Sequence, residues 1–144
     1  MGLFRAQMSE PQRVISFPSK TENISVAERM VDDVCEAYSI KEDFYGNILI
    51  SLTEAVNNAM VHGNKLDPEK EVKVTCIVER PFLRFQIEDE GPGFDYDNLP
   101  DPTAPENIEK PNGRGVFLMR NLADNCEFLD DGRIVQIEFN AIDA

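Results

Sequence analysis

Along the chain the hydrophobic residues keep first one period, then another. Residues 1–12 are polar and irregular and read as a tail. Val14-Ile15-Ser16-Phe17 gives a short strand, stopped by Pro18. From Ile24 the apolar positions recur as Ile24, Ala27, Val31, Val34 and Tyr38, the spacing of one helix face. Two capping boxes compete for its start, Ser25 with Glu28 and Ser19 with Glu22. A longer helix is predicted from about Lys41 to Val61. Its stripe is Phe44, Ile48, Leu52, Ala55, Val56 and Ala59, and Gly63 is its stop.

Past that glycine the period shortens to two. Val72–Val78 and Leu83–Glu88 alternate, joined by Glu79-Arg80-Pro81-Phe82, a β-hairpin that confines Pro81 to the turn. Asp89-Glu90-Gly91-Pro92-Gly93 breaks the second strand. Residues 95–111 hold Pro100, Pro102, Pro105 and Pro111, five acidic residues and a single basic one, Lys110. A loop of this length inside a compact domain is usually a functional lid or a disordered segment. Gly113-Arg114-Gly115 opens a third helix through about Asp124, and a hairpin of Cys126–Leu129 and Ile134–Phe139 turns at Asp130-Asp131-Gly132. The order β-α-α-β-β-lid-α-β-β segregates helices from an antiparallel-rich sheet. It predicts an α+β fold, a two-layer α/β sandwich forming one domain over residues 13–144.

Charge narrows the partners. The 144 residues hold 27 acidic against 14 basic side chains, a formal net charge of -13. Such a surface repels phosphate backbones and anionic lipid, so nucleic acid and membrane surfaces are not expected partners. An acidic protein that binds a nucleotide must bring magnesium or local donors to offset that repulsion. Cys35, Cys76 and Cys126 are far apart, odd in number and without C-x-x-C spacing, which points to buried free thiols rather than disulfides or zinc. The N-terminus has neither a signal-peptide core nor a myristoylation pattern, and no apolar run reaches 18 residues. A cytoplasmic protein is expected.

Three stretches carry candidate chemistry. In Ile50-Ser51-Leu52-Thr53-Glu54-Ala55-Val56-Asn57-Asn58-Ala59, Glu54 and Asn58 lie about 40° apart on the helix, flanked by Ser51 and Asn57. A carboxylate and a carboxamide one turn apart suit a hard cation such as magnesium, although a polar helix stripe is often only a solvated face. Asp89-x-Gly91-x-Gly93 is either a plain turn or a ligand loop. In the second case Asp89 accepts a hydrogen bond from an amino group, and the glycines allow close backbone approach. Gly113-Arg114-Gly115-Val116 at a helix start offers backbone N–H groups to an anion, or is simply a steric start.

In combination these stretches resemble a known superfamily. Glu54-Ala55-Val56-Asn57-Asn58-Ala59-Met60-Val61-His62-Gly63 is similar to the N box of the GHKL ATPases, the superfamily of gyrase, MutL and the histidine kinases. Asp89-Glu90-Gly91-Pro92-Gly93-Phe94 and Asn112-Gly113-Arg114-Gly115-Val116-Phe117-Leu118-Met119 resemble its two glycine boxes. The compactness, the wording of the N box and the short lid, 95–112, look like the anti-sigma-factor serine kinases of the RsbW type. The resemblance implies the GHKL ATP-binding fold with ATP and Mg2+ as cofactors. It implies Asn58 on the metal, Glu54 as general base towards a protein serine, and Asp89 reading adenine. Gly91, Gly93, Gly113, Gly115 and Val116 would admit the nucleotide.

Lys110 and Arg114 either touch the γ-phosphate or are solvated lid charges. Arg29 either meets a protein partner or is an exposed helix arginine, and His62 is either a phosphate contact or a helix end held by the backbone. The implied partners are a STAS-domain anti-anti-sigma factor and a sigma factor, with the homodimer as the family's common assembly. Where that family often carries Gly-Thr in the last hairpin, this chain reads Gly132-Arg133-Ile134-Val135 and lacks the hydroxyl that supports the adenine-binding aspartate. The expected function is therefore an ATP-dependent serine/threonine kinase. Alternatives are a nucleotide-gated binding module without turnover and a detached histidine-kinase catalytic domain, the last disfavoured by a single histidine.

Overall fold

A computed structural model describes residues 12–93 and 114–143. The expected lid at 95–112, with Lys110, and Gly113 lie outside the described residues. Among the described residues, five strands and three α-helices follow the expected order. Strand β1 (Arg13–Pro18) is followed by a single 3-10 turn (Thr21–Asn23) and helix α1 (Ile24–Ala37). Helix α2 (Glu42–Asn58) widens into a π turn (Ala59–Gly63), before strands β2 (Glu71–Glu79) and β3 (Phe82–Glu88). Helix α3 (Arg114–Leu122), β4 (Asn125–Leu129) and β5 (Ile134–Asn140) complete the domain. The strands pair antiparallel throughout in the order β1-β2-β3-β5-β4.

Register follows from side-chain alternation. Ile15, Val74, Ile87, Val135 and Phe128 form one row across all five strands, on the face that packs against the helices. The opposite face carries Lys73, Arg84, Gln86, Glu88, Gln136 and Glu138. There Arg84 donates to Glu138 at 2.9 and 2.7 Å and also pairs with Glu79, while Gln86 donates to Gln136. A one-residue slip of β3 would exchange Leu83, Phe85 and Ile87 for Arg84, Gln86 and Glu88. Exposing three large apolar chains costs roughly 5–9 kcal/mol, as much as a whole domain's stability, so only one register survives.

Two sequence expectations are corrected here. Neither capping box forms: Asn23 precedes α1 without a side-chain cap, and Ser25 Oγ donates to Glu22 O at 3.0 Å from inside the helix. The preceding 3-10 turn leads straight into the α-helix. Ser19 is drawn inward instead, donating to Lys70 O and accepting from Asn64 Nδ2, each at 2.8 Å. Ser51 does not flank an exposed stripe. It is fully buried, and its Oγ has no hydrogen-bond partner among the described residues. The three cysteines are free thiols, but only Cys76 is buried and the other two are half-buried. Burial pushes the thiols up, Cys76 to about 12 and Cys126 to about 11, so both stay protonated and unreactive near neutrality. Among the described residues no helix is long and apolar enough to cross a membrane.

Candidate active site

The outer end of α2 meets the start of α3. Glu54 and Asn58 are half-buried, one turn apart, and both side chains reach Gly115. A β-carbon at Gly115 would fall 2.9 Å from Asn58 Nδ2, 2.9 Å from Glu54 Oε2 and 3.3 Å from Asn58 Oδ1. With no side chain at Gly115, both side-chain ends can lie directly against the α3 backbone. The carboxylate, the carboxamide and the helix N-terminus of two distant motifs thus become one cluster. These are hard oxygen donors beside backbone N–H groups, the set that suits magnesium on nucleotide phosphates. Among the described residues no group of three or more His, Cys, Asp or Glu could hold an ion unaided. The Asn58 carboxamide oxygen is of the kind that can serve as one ligand to Mg2+, an ion that usually keeps water and phosphate oxygens as the rest.

The loop after β3 builds the other end. Asp89 N donates to Arg133 O at 2.9 Å, tying the loop to the last hairpin. Asp89 Oδ1 accepts from Gly91 N at 2.8 Å, which fixes the carboxylate and leaves Oδ2 available. Gly63, closing the π turn, lies against that carboxylate: a β-carbon there would be 2.4 Å from Oδ2. Gly91 packs on the Gly63 carbonyl just as closely, and Gly93 takes φ +85°. Burial pushes the Asp89 carboxyl above its ordinary range, and the Gly91 N–H with the Arg133 and Lys70 cations opposes this without cancelling it.

Between these ends lies a cavity of about 330 Å³. Its apolar wall is Ala55, Ile87, Val116, Met119, Phe128 and Val135, and its polar rim includes Asn58, His62, Lys65, Asp89 and Arg133. Apolar lining with a few directed polar groups is the usual form of a small-molecule site, and the volume fits a flat heterocycle with its sugar. Asn64, fully buried, supports the wall from behind. Its Nδ2 donates to Ser19 Oγ and to Glu71 O, and its Oδ1 accepts from Glu90 N at 2.7 Å.

Of the residues singled out from sequence, Asn58, Asp89, Gly93 and Val116 line the cavity. Glu54 and Gly115 adjoin Asn58, and Gly91 adjoins Asp89. Arg114 is exposed at the first position of α3. Arg29 is exposed on α1 and does not line the cavity. His62 sits exposed in the π turn at the cavity rim. Gly63, Asn64, Lys65 and Arg133 were not singled out as site residues. Only the two-residue extension His62-Gly63 of the helix motif hinted at the first of them.

This fold and this cavity define an ATP-binding module. The family model for the histidine kinase-like ATPase domain matches residues 17–139, and the chain belongs to that family. Proteins named serine-protein kinase RsbW are among those the chain is similar to. It is 25% identical over 123 residues to the serine-protein kinase RsbW of Bacillus cereus, covering 81% of this chain and 76% of that one. It is 26% identical, with the same coverage, to the serine-protein kinase RsbW of Bacillus anthracis.

Proposed function

We propose that the chain is an ATP-dependent protein serine/threonine kinase acting as an anti-sigma factor. Its substrate would be a serine on a STAS-domain anti-anti-sigma partner, and it would hold a sigma factor in alternation with that partner. The observation that carries the reading is the meeting of Glu54, Asn58 and Gly115 at one end of a cavity whose other end is Asp89. Adenine would lie on the apolar wall, its amino group donating to Asp89. The triphosphate would run towards the start of α3, where Asn58 and Glu54 lie against Gly115. Asn58 would hold Mg2+, which when bound neutralises phosphate charge. Glu54 would take the proton of the serine hydroxyl as its oxygen bonds to the γ-phosphorus. The bond from that phosphorus to the β,γ-bridging oxygen breaks, releasing ADP. Apart from the base, the site contributes positioning and charge compensation, which is most of what phosphoryl transfer requires.

The test is incubation with γ-labelled ATP, Mg2+ and a STAS-domain partner. Acid-stable label on a partner serine is expected, with Glu54→Gln lowering the rate by roughly 10²–10⁴. Nucleotide-dependent partner binding with no transfer, and no difference in Glu54→Gln, would leave a gated clasp and no kinase.

A further inference from the structure

The loop bearing Asp89 is held from both sides by side chains. On one side Asn64 accepts the Glu90 N–H. On the other, Arg133 spreads its guanidinium across the loop carbonyls. Nε donates to Gly91 O at 2.8 Å and Nη2 to Pro92 O at 3.3 Å. Nη1 turns back to Asp130 O at 3.1 Å and Asp130 Oδ1 at 3.3 Å, with Asp131 Oδ2 at 3.7 Å. The turn beneath it is three residues of left-handed backbone, Asp130 (φ 50°), Asp131 (φ 56°) and Gly132 (φ 90°). For two aspartates that conformation is uncommon and needs fixing from outside. The Asp131 carbonyl also seats Gly93, since a β-carbon at Gly93 would fall 2.2 Å from it.

We infer that Arg133 is a positioning and specificity residue for the nucleotide base: it staples the Gly91-Pro92 carbonyls to the last hairpin and so aims Asp89 at an exocyclic amine. This rests on the ATP reading above. A planar guanidinium spreads five donors over a fixed fork and so spans carbonyls of two separate segments, whereas an ammonium offers three donors from a single point. The side chain does so where the sequence lacks a supporting hydroxyl, with a different reach: it bonds the Gly91 and Pro92 carbonyls of the loop and the Asp130 carbonyl of the hairpin, while its own carbonyl takes the Asp89 N–H. Arg133 is thus bound to the loop through main chain and side chain together. Base choice follows from Asp89's aim. A carboxylate accepts from the amino group of adenine and repels the carbonyl oxygen that guanine presents at the same place.

The test compares Arg133→Ala and Arg133→Lys with the unsubstituted chain, measuring Mg2+-ATP and Mg2+-GTP affinity by titration calorimetry and ligand-free melting. Arg133→Ala should weaken ATP about tenfold, the effect of losing one or two loop hydrogen bonds. GTP should weaken much less, so the ATP:GTP preference shrinks. The side chain is one-third exposed, and melting should move only a few degrees. Arg133→Lys should restore less than half of the lost preference. Equal ATP affinity and preference in Arg133→Ala would overturn the inference, as would equal loss for both nucleotides. A fall in melting of more than about 10 °C with loss of both ligands would make the residue purely structural. If the unsubstituted chain binds no ATP, the nucleotide reading fails first and takes this one with it.

Discussion

At the scale of single residues, Asp89 shows a conflict between stability and recognition. Its carboxyl is half-buried, and burial outweighs the neighbouring cations, so its folded pKa lies above the unfolded value. Between those two values the folded chain binds more protons than the unfolded one. This group's contribution to stability therefore falls as pH rises through that window. Near neutrality the ionised carboxylate is a net cost to the free fold. Asp89→Asn keeps an oxygen for the Gly91 N–H and removes that cost. The variant should melt at or above the parent temperature without nucleotide and yet lose most ATP affinity. In the parent, ATP affinity should fall on acidification starting at a higher pH than an exposed aspartate would dictate. A titration with parallel melting curves checks both. Asp89 was legible because an aspartate at a strand end with glycines two and four residues on stands out. Arg133 and Asn64 were not, because an arginine in a polar hairpin and an asparagine past a helix end look ordinary. Their roles depend on partners 42 and 26 residues away.

Elements were more legible than caps. Hydrophobic period located α1, α2, β2 and β3, since burying one face is what forms them, while prolines, glycines and turn residues marked out β1, α3 and the last hairpin. The ends were set by tertiary demands: Ser19 bonds Asn64 instead of capping a helix, and α2 loosens into a π turn that brings Gly63 against Asp89. Ser51 read as polar surface because helical spacing alone cannot say which sides of α2 the rest of the fold will cover. The α2–α3 crossing also defines what a minimal substitution does. In Gly115→Ala the new methyl group meets only side-chain ends, Asn58 Nδ2 and Glu54 Oε2, which can swing aside. Melting should change by a few degrees at most. Phosphate placement suffers, with turnover falling roughly tenfold to a hundredfold, since a displacement near 1 Å is enough for the larger loss. Unchanged turnover would show that the two side chains do not work from beneath α3.

For the molecule as a whole, charge is the main quantity. A net charge of -13 opposes an incoming polyphosphate, and only a few rim cations such as Lys65 and Arg133 locally counter it. Chelating Mg2+ should therefore weaken ATP binding. The loss should be greater near 20 mM salt than near 200 mM, because the Debye length contracts from about 20 Å to under 10 Å. Titrations with EDTA at the two ionic strengths check this, and a loss independent of salt would assign the whole effect to the metal's ligands. The Asn64 joint has a consequence on another axis, that of time. One buried amide side chain ties the end of β1, the start of β2 and the glycine loop together. The loop then belongs to the same cooperative opening unit as the sheet. In hydrogen exchange the Glu90 amide should be protected to nearly the same degree as the amides of β3. Glycine-rich loops usually exchange fast. A slow one here would mean that the ligand-free chain keeps its base-reading loop assembled for as long as it stays folded.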